Sequence, residues 1–218
     1  MTSRTEELET NLREVEGEIA SFNPTLIVVT KTYPVSDVEI LHGLGVRNFG
    51  ENRSSEGNEK SAAIDGTWHY QGEIQSKKIR EILSWADCIH SLDSQSHLEK
   101  ISRTLHESHS RVDLFLQLSL DGDPNRGGQQ ESELFALAEK VSAVTEINLL
   151  GIMSVPPVNI EPGAAFKEIG AIHQRFIALF PQAPSLSAGM SGDYMLALEH
   201  GATHIRVGSK ILGARSYR

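Results

Sequence analysis

A lysine that follows a short apolar segment is the residue in this sequence best placed for covalent chemistry. Residues 26–29 read LIVV, an apolar run rich in β-branched side chains that predicts a strand buried on both faces, and Lys31 comes two residues later. A lysine beside an apolar wall can lose its proton and attack a carbonyl carbon, which forms a Schiff base. The alternative, which this segment alone favours, is a lysine whose ammonium group simply reaches solvent.

Two turns rich in glycine and serine near the end of the sequence could bind a phosphate. The first, residues 187–193, includes Ser191 and Gly192, and the second includes Gly208 and Ser209. Each turn precedes a predicted helix, whose first N–H groups favour an anion. In (β/α)8 enzymes the loops after strands seven and eight commonly form the phosphate site. Each turn alone is a weak signal, but the pair in this order predicts a phosphate site.

Other chemical motifs are incomplete. Residues 189–192 resemble a nucleophile elbow, but Asp193 stands where the motif needs glycine. Residues 121–125 begin like a calcium loop, yet Arg126 and Ser132 replace its glycine and glutamate. The histidines are scattered, and His69 is interpreted as a barrel histidine with satisfied hydrogen bonds rather than a ligand. The sequence therefore predicts no metal site.

The positions of these residues depend on eight predicted strands that alternate with helices. The predicted strands are residues 26–29, 46–50, 67–70, 87–92, 112–120 (the longest), 147–153, 185–187 and 204–207. Ser36 is predicted to cap the helix after Lys31 and Gly45 to end it. Such alternation is typical of parallel strands. We therefore expect an α/β fold, a single (β/α)8 TIM barrel domain over residues 1–218, with an extra N-terminal helix of periodic apolar residues.

Composition narrows the class of protein. The formal net charge of −9 argues against a nucleic-acid partner, because such proteins carry a basic face. The first residues are charged rather than apolar, no apolar run is long enough to cross a membrane, and the one cysteine, Cys88, fits a reducing compartment. We expect a soluble cytoplasmic protein.

Six short motifs occur in order along the chain: TKTYP around Lys31, then FGEN, WHYQGEIQSKK, GIMSVP, SAGMSGD and IRVGSKILGAR. In this combination they resemble the YggS/PROSC family, the pyridoxal phosphate homeostasis proteins, and the resemblance covers essentially the whole chain. That family is similar to the N-terminal barrel of bacterial alanine racemase, of fold-type III, without its second domain. The resemblance implies pyridoxal 5'-phosphate (PLP) as the cofactor.

The resemblance also implies roles at the reactive end of that cofactor. Lys31 would hold PLP as a Schiff base, and Asn52 would line the cofactor nearby. Met153 would cover one face of the ring, although a methionine that merely fills the core is nearly as good an interpretation. Arg206 would lie against the pyridine nitrogen or pair with the phosphate.

The cofactor's phosphate would be held by hydroxyl and backbone N–H groups of the two turns. The residues implied for the phosphate are Ser191, Gly192, Gly208 and Ser209, and Ser187 is implied as a further cofactor-binding residue. Three residues depart from the usual family pattern, namely Arg53, Glu73 and Arg126. These departures concern loops and do not affect the residues implied for the cofactor.

Two classes of function follow from the resemblance. The first is a PLP-binding protein with no or weak catalysis, which buffers and delivers the cofactor to PLP-dependent apoenzymes as a monomer. The second is a PLP-dependent amino-acid racemase, which needs a base on each face of the substrate carbon. Lys31 could be one base, but the sequence offers no convincing second, so the homeostasis function is favoured. A Schiff-base aldolase is a weaker third hypothesis.

Overall fold

The computed structural model describes residues 3–123 and 125–213, which form a closed barrel of eight parallel strands. Strand β1 pairs with β2 on one side and with β8 on the other, so the sheet has no free edge. One or more helical segments follow each strand and cover the outside of the barrel. The predicted (β/α)8 barrel with an extra N-terminal helix is confirmed.

The strand boundaries match the prediction at residues 67–70 and 204–207 and differ from it by a few residues elsewhere. The strands are β1 (Thr25–Val29), β2 (Asn48–Glu51), β3 (Thr67–Tyr70), β4 (Cys88–Leu92), β5 (Val112–Leu118), β6 (Ile147–Ser154), β7 (Ser185–Met190) and β8 (His204–Val207). The helices are α1 (Arg4–Ile19), α2 (Val35–Gly43), α3 (Ser54–Ala63), α4 (Ile79–Ile82), α5 (Gln95–Ser108), α6 (Glu131–Ser142), α7 (Pro162–Leu179), α8 (Tyr194–Glu199) and α9 (Ser209–Leu212), with a 3₁₀ turn at Ser76–Lys78.

Three local predictions were wrong. Helix α2 begins at Val35 after Pro34, whose extended backbone occupies the N-cap position, so Ser36 lies inside the helix and does not cap it. The longest strand is β6, with 8 residues, whereas β5 has 7 and ends at Leu118. Strand β7 continues to Met190, beyond the predicted end at Ser187, because Met190 still pairs with Arg206 of β8.

Helix α1 packs along the barrel and contacts the last described helix. A reciprocal hydrogen-bonded box between Ser3 and Glu6 caps the start of α1. Arg4 donates from Nη2 to the Leu212 carbonyl at 3.0 Å, and Asn11 donates from Nδ2 to the Ile211 carbonyl at 2.9 Å. These bonds satisfy carbonyl groups at the end of α9, which a four-residue helix cannot satisfy itself. Segments far apart in sequence therefore meet beside the barrel.

Inside the barrel, polar side chains form a hydrogen-bonded chain among apolar ones. His69 Nε2 lies 3.1 Å from Asn48 Oδ1, and His69 Nδ1 lies 2.9 Å from His90 Nε2. The His90 ring stacks on Phe115 with centroids 4.5 Å apart. Burial lowers the pKa of His69 to about 3 and places the pKa of His90 well below its ordinary value. Both imidazoles are therefore neutral at neutral pH.

No helix within residues 3–123 and 125–213 combines the length and the apolar character that a membrane span requires.

We expect acid to destabilise the fold through His69 and His90. Because their pKa values lie below the unfolded value of about 6.5, only the unfolded chain gains protons as the pH falls. Their contribution to stability is complete above about pH 6.5 and is lost as the pH falls below it, by about 1.4 kcal/mol per pH unit for each histidine. Urea unfolding at several pH values should show a steeper decline for the wild type than for the variant His69→Gln/His90→Gln.

The control for this experiment is His109→Asn. His109 is exposed and ends α5 with a left-handed backbone that asparagine also adopts, so this variant should keep the wild-type pH dependence. Equal slopes for the wild type and the double variant would contradict the interpretation that the buried histidines stay neutral.

Candidate functional site

A cavity of about 280 Å³ opens where the carboxyl ends of the strands meet. Eight of the nine cofactor residues predicted from the sequence line it: Lys31, Asn52, Met153, Ser191, Gly192, Arg206, Gly208 and Ser209. The first two come from the loops after β1 and β2, and the last two from the turn after β8. The ends of parallel strands are where such barrels carry their active sites.

Lys31 lies in a short loop whose backbone is strained. The residue after it, Thr32, has φ = +71°, which is rare and unfavourable for a β-branched side chain. The Thr32 N–H donates to Glu56 Oε2 at 2.7 Å. Tyr33, which also lines the cavity, donates its hydroxyl to the Gly213 carbonyl at 2.7 Å. Strained residues of this kind persist only where their surroundings hold them, and they cluster at functional sites.

Asn52 is placed by a close approach between two loops. A Cβ atom at Gly72 would lie 2.0 Å from the Asn52 carbonyl oxygen, so only glycine fits there. The neighbouring Gln71 lines the cavity, and its Nε2 is buried with no hydrogen-bond partner among residues 3–123 and 125–213. Gln71 thus offers a donor in the wall of the cavity that Lys31 also lines.

The Ser191 hydroxyl joins the two predicted phosphate turns. Its Oγ accepts hydrogen bonds from the Gly208 N–H at 3.1 Å and from the Lys210 N–H at 3.3 Å. A hydroxyl that accepts two bonds still has its own hydrogen to donate. The Gly208 N–H points to Ser191 in this arrangement, so its predicted role as a phosphate donor stays a prediction.

Arg206 supplies a buried positive charge at the cavity. It is 5% exposed, and it donates from Nη1 to Ser187 Oγ at 2.7 Å and from Nη2 to the Ser154 carbonyl at 3.1 Å. Burial lowers the pKa of the guanidinium to about 10, an effect that Asp193 opposes, so the group remains charged at neutral pH. Both of these hydrogen bonds go to neutral oxygens.

Ser187 is the predicted cofactor residue that the cavity wall does not include. It is fully buried, and its Oγ bonds both Arg206 Nη1 and, at 2.9 Å, His90 Nδ1. Ser187 was predicted to bind the cofactor, as Ser191 was, and both residues belong to the motif SAGMSGD. In the structure it lies in the barrel interior, where it holds the guanidinium of Arg206.

Five residues of the cavity wall were not predicted from the sequence. They are Val29, Tyr33, Gln71, Val155 and Met190. Four of them, Tyr33, Gln71, Val155 and Met190, lie inside motifs quoted for the family resemblance, and that position was a signal that could have indicated them. Val29 is an apolar residue at the end of β1, and nothing in the sequence distinguishes it from a core residue.

The three departures from the family pattern have separate positions. Arg126 donates to the carbonyls of Val155 and Pro156 at 2.7 and 2.9 Å, which joins its loop to the cavity wall. Arg53 is exposed and pairs with Glu56 at 3.1 Å. The Glu73 carbonyl accepts a hydrogen bond from the Tyr70 hydroxyl at 2.8 Å.

One group of potential metal ligands lies in the barrel interior. Atoms of His69, Cys88 and His90 lie within 4.8 Å of one another. The two imidazoles are hydrogen bonded to each other, and burial raises the pKa of the Cys88 thiol well above its ordinary value, which disfavours the thiolate that binds metals. The prediction that the protein has no metal site stays a prediction.

A larger groove of about 720 Å³ lies on the outside of the barrel. It is lined by α6, α7 and the loops beside them, including Phe135, Ile160 and Glu168. Eight of the nine predicted site residues line the smaller cavity and none lines this groove, so the smaller cavity is the candidate site.

Comparison with known families gives a match over almost the whole chain. The model of the family described as "Alanine racemase, N-terminal domain" matches residues 4–216. A protein of Corynebacterium glutamicum named pyridoxal phosphate homeostasis protein is 40% identical over 198 residues, which cover 87% of this chain and 90% of that protein.

Solved structures show the same barrel. PipY of Synechococcus elongatus PCC7942, in its structure with PLP bound, has a TM-score of 0.86 and 31% identity, covering 94% of this chain and 100% of PipY. An alanine racemase of Clostridium difficile 630 has a TM-score of 0.81 at 13% identity, covering 97% of this chain and 57% of the racemase. The likeness to the racemase shows the fold alone.

We expect Ser187→Ala to destabilise the protein. The change would leave one donor of Arg206 and one ring nitrogen of His90 buried without their partner, which costs about 1–3 kcal/mol of the free energy of unfolding. Equilibrium unfolding in urea measures the loss. Ser132→Ala, at an exposed position of α6, should change the free energy little, and a Ser187→Ala protein as stable as the wild type would contradict the assigned role.

Proposed function

The chain belongs to the alanine racemase N-terminal domain family and, within it, to the pyridoxal phosphate homeostasis proteins, and on this premise we propose that it holds PLP at Lys31 to buffer and deliver that cofactor. The family resemblance read from the six motifs is thereby confirmed. The observation that carries the proposal is that Lys31, Arg206 and the two phosphate turns meet in one cavity.

The residues of the cavity fit the chemical groups of PLP. This cofactor supplies an aldehyde that forms a Schiff base with a lysine amine, together with a ring that can withdraw electrons. Lys31 supplies the amine from the loop after β1. Met153, which is 3% exposed, offers an apolar wall from β6 against which a ring can pack. Asn52 and Gln71 offer polar groups on the side of β2 and β3.

The phosphate is best accommodated at the turns after β7 and β8. Ser191 can donate its hydroxyl hydrogen while its oxygen keeps the two turns together. Ser209 adds a second hydroxyl, and Gly192 adds backbone without a side chain that would crowd the anion. We propose Ser191, Gly192, Gly208 and Ser209 as the phosphate-binding set. Ser187 acts indirectly, through Arg206.

A guanidinium against the pyridine nitrogen suits storage of PLP, although racemase-like sites use the same arrangement when a base stands on each face of the substrate carbon. Catalysis by PLP usually relies on a carboxylate that keeps the pyridine nitrogen protonated. A guanidinium has only donors, so against that nitrogen it would favour the unprotonated ring. Two bonds to Ser187 and Ser154 keep the guanidinium in place. The relatives' name as homeostasis proteins also supports the carrier function over the racemase alternative.

The remaining parts of the proposal concern the setting in which the protein acts. We propose that residues 1–218 form a single domain, that the protein acts as a monomer in the cytoplasm, and that PLP-dependent apoenzymes receive the cofactor. The single cysteine supports a reducing compartment. The formal net charge of −9 argues against a nucleic-acid partner.

We expect Lys31→Ala to abolish covalent attachment of PLP. Purified protein is incubated with PLP and reduced with borohydride, and its peptides are then analysed by mass spectrometry. The pyridoxyl group should appear on the Lys31 peptide of the wild type, and the alanine variant should carry none because it lacks the amine. The matched control is Lys77→Ala, at an exposed lysine, which should label as the wild type does. A pyridoxyl group on any other peptide would refute the assignment.

We expect Ser191→Ala/Ser209→Ala to weaken binding of PLP more than binding of pyridoxal. Each hydroxyl bond to the charged phosphate is worth about 1.5–3 kcal/mol, so the preference for PLP should fall roughly 100-fold or more. Absorbance titrations with both ligands measure it, with Ser132→Ala as the control at an exposed serine. Equal losses for PLP and pyridoxal would place the phosphate elsewhere.

A further inference from the structure

A buried ion pair lies directly beneath the loop that carries Lys31. Lys60 of α3 and Glu51 of β2 have side chains that are 4% and 0% exposed, and Lys60 Nζ lies 2.6 Å from Glu51 Oε1. Removing two charges from water is costly, so a buried pair is weak evidence for a role in stability alone. The contacts of this pair point to another role.

The pair holds the residue that precedes Lys31. Lys60 Nζ donates to the Thr30 carbonyl at 2.7 Å, and the Thr30 hydroxyl donates to Glu51 Oε1 at 2.6 Å. The Thr30 N–H donates to the Gly50 carbonyl at 2.9 Å. The backbone and the side chain of Thr30 are therefore both fixed where the chain leaves β1.

The same cluster holds the residue that follows Lys31. Glu56, one helical turn before Lys60, accepts the Thr32 N–H on Oε2, and that oxygen lies 3.7 Å from Lys60 Nζ. Thr32 has a left-handed backbone that a threonine adopts reluctantly, so this bond compensates for an unfavourable conformation. One ammonium group thus links the acceptors on both sides of Lys31.

We propose that Lys60, Glu51 and Glu56 are positioning residues for Lys31, which fix the loop so that the amine faces the cavity before a ligand arrives. The inference rests on the proposed function, because it concerns the reaction of Lys31 with an aldehyde. A reacting group that is already oriented reacts faster than one that must find its orientation. The cluster should therefore change the rate of attachment more than the affinity of the cavity.

The experiment compares Glu56→Ala with Glu56→Gln in the full-length protein. The alanine variant loses the acceptor for the Thr32 N–H, whereas the amide oxygen of glutamine can still accept it. Stopped-flow absorbance after mixing with PLP should show the rate constant of Schiff-base formation reduced about 10-fold in the alanine variant and largely restored in the glutamine variant. Glu59→Ala, at an exposed position of the same helix, should react at the wild-type rate.

Two further measurements separate positioning from a general loss of structure. In a Lys31→Ala background, Glu56→Ala should leave the noncovalent affinity for PLP within about twofold, because the cavity wall is unchanged. Hydrogen exchange in the cofactor-free protein should show the Thr32 amide exchanging about 10-fold faster in Glu56→Ala than in the wild type. Lys60→Met, which removes the ammonium group and keeps an apolar stem, should act in the same direction.

The outcomes that would overturn the inference differ from those that would overturn the proposed function. A wild-type protein that forms no Schiff base at Lys31 would refute the function. Wild-type rates in Glu56→Ala and unchanged exchange at Thr32 would refute the positioning role alone. An equal loss of noncovalent affinity would also refute it, since that result indicates damage to the cavity as a whole.

Discussion

The hydrogen-bonded pairing of β1 with β8 is the contact on which the candidate site depends. Val28 of β1 is in register with Val207 of β8, so the loop that carries Lys31 lies beside the turn that contains Gly208. About 180 residues separate these segments in sequence, and only closure of the barrel joins them. An open sheet with the same strands would keep the lysine at one edge and the phosphate turn at the other.

Closure of the barrel also buries titratable side chains in an interior that disfavours their charged forms. Arg206 is buried and cationic. His90, which is hydrogen bonded to the same Ser187 hydroxyl, is neutral because burial disfavours a second positive charge there. The guanidinium is held by a hydroxyl and a carbonyl, so its charge is not cancelled by these partners. A chain with net charge −9 can in this way present a positive group to an anionic ligand.

The barrel, Lys31 and the two turns could be predicted from the sequence because they follow local rules, whereas Asn52, Met153 and Arg206 were implied by the family resemblance alone. Strand ends are marked by apolar runs and turn residues, and Lys31 lies at such an end. The depth of Ser187 could not be predicted, because the predicted strand ended at this residue, whereas β7 continues to Met190 and keeps Ser187 inside the barrel. Lys60 could not be predicted either. It belongs to a polar helix whose lysine would ordinarily be exposed, and its burial depends on Glu51 from another strand.

The position of the two halves of the cavity has a consequence for synthesis of the protein. During translation Lys31 leaves the ribosome well before Ser191, Gly208 and the α9 segment that Arg4 and Asn11 contact. A nascent chain therefore exposes the amine long before it possesses the phosphate turns. Under the proposed function, selective retention of a phosphorylated aldehyde is therefore a property of the closed barrel and not of its first half.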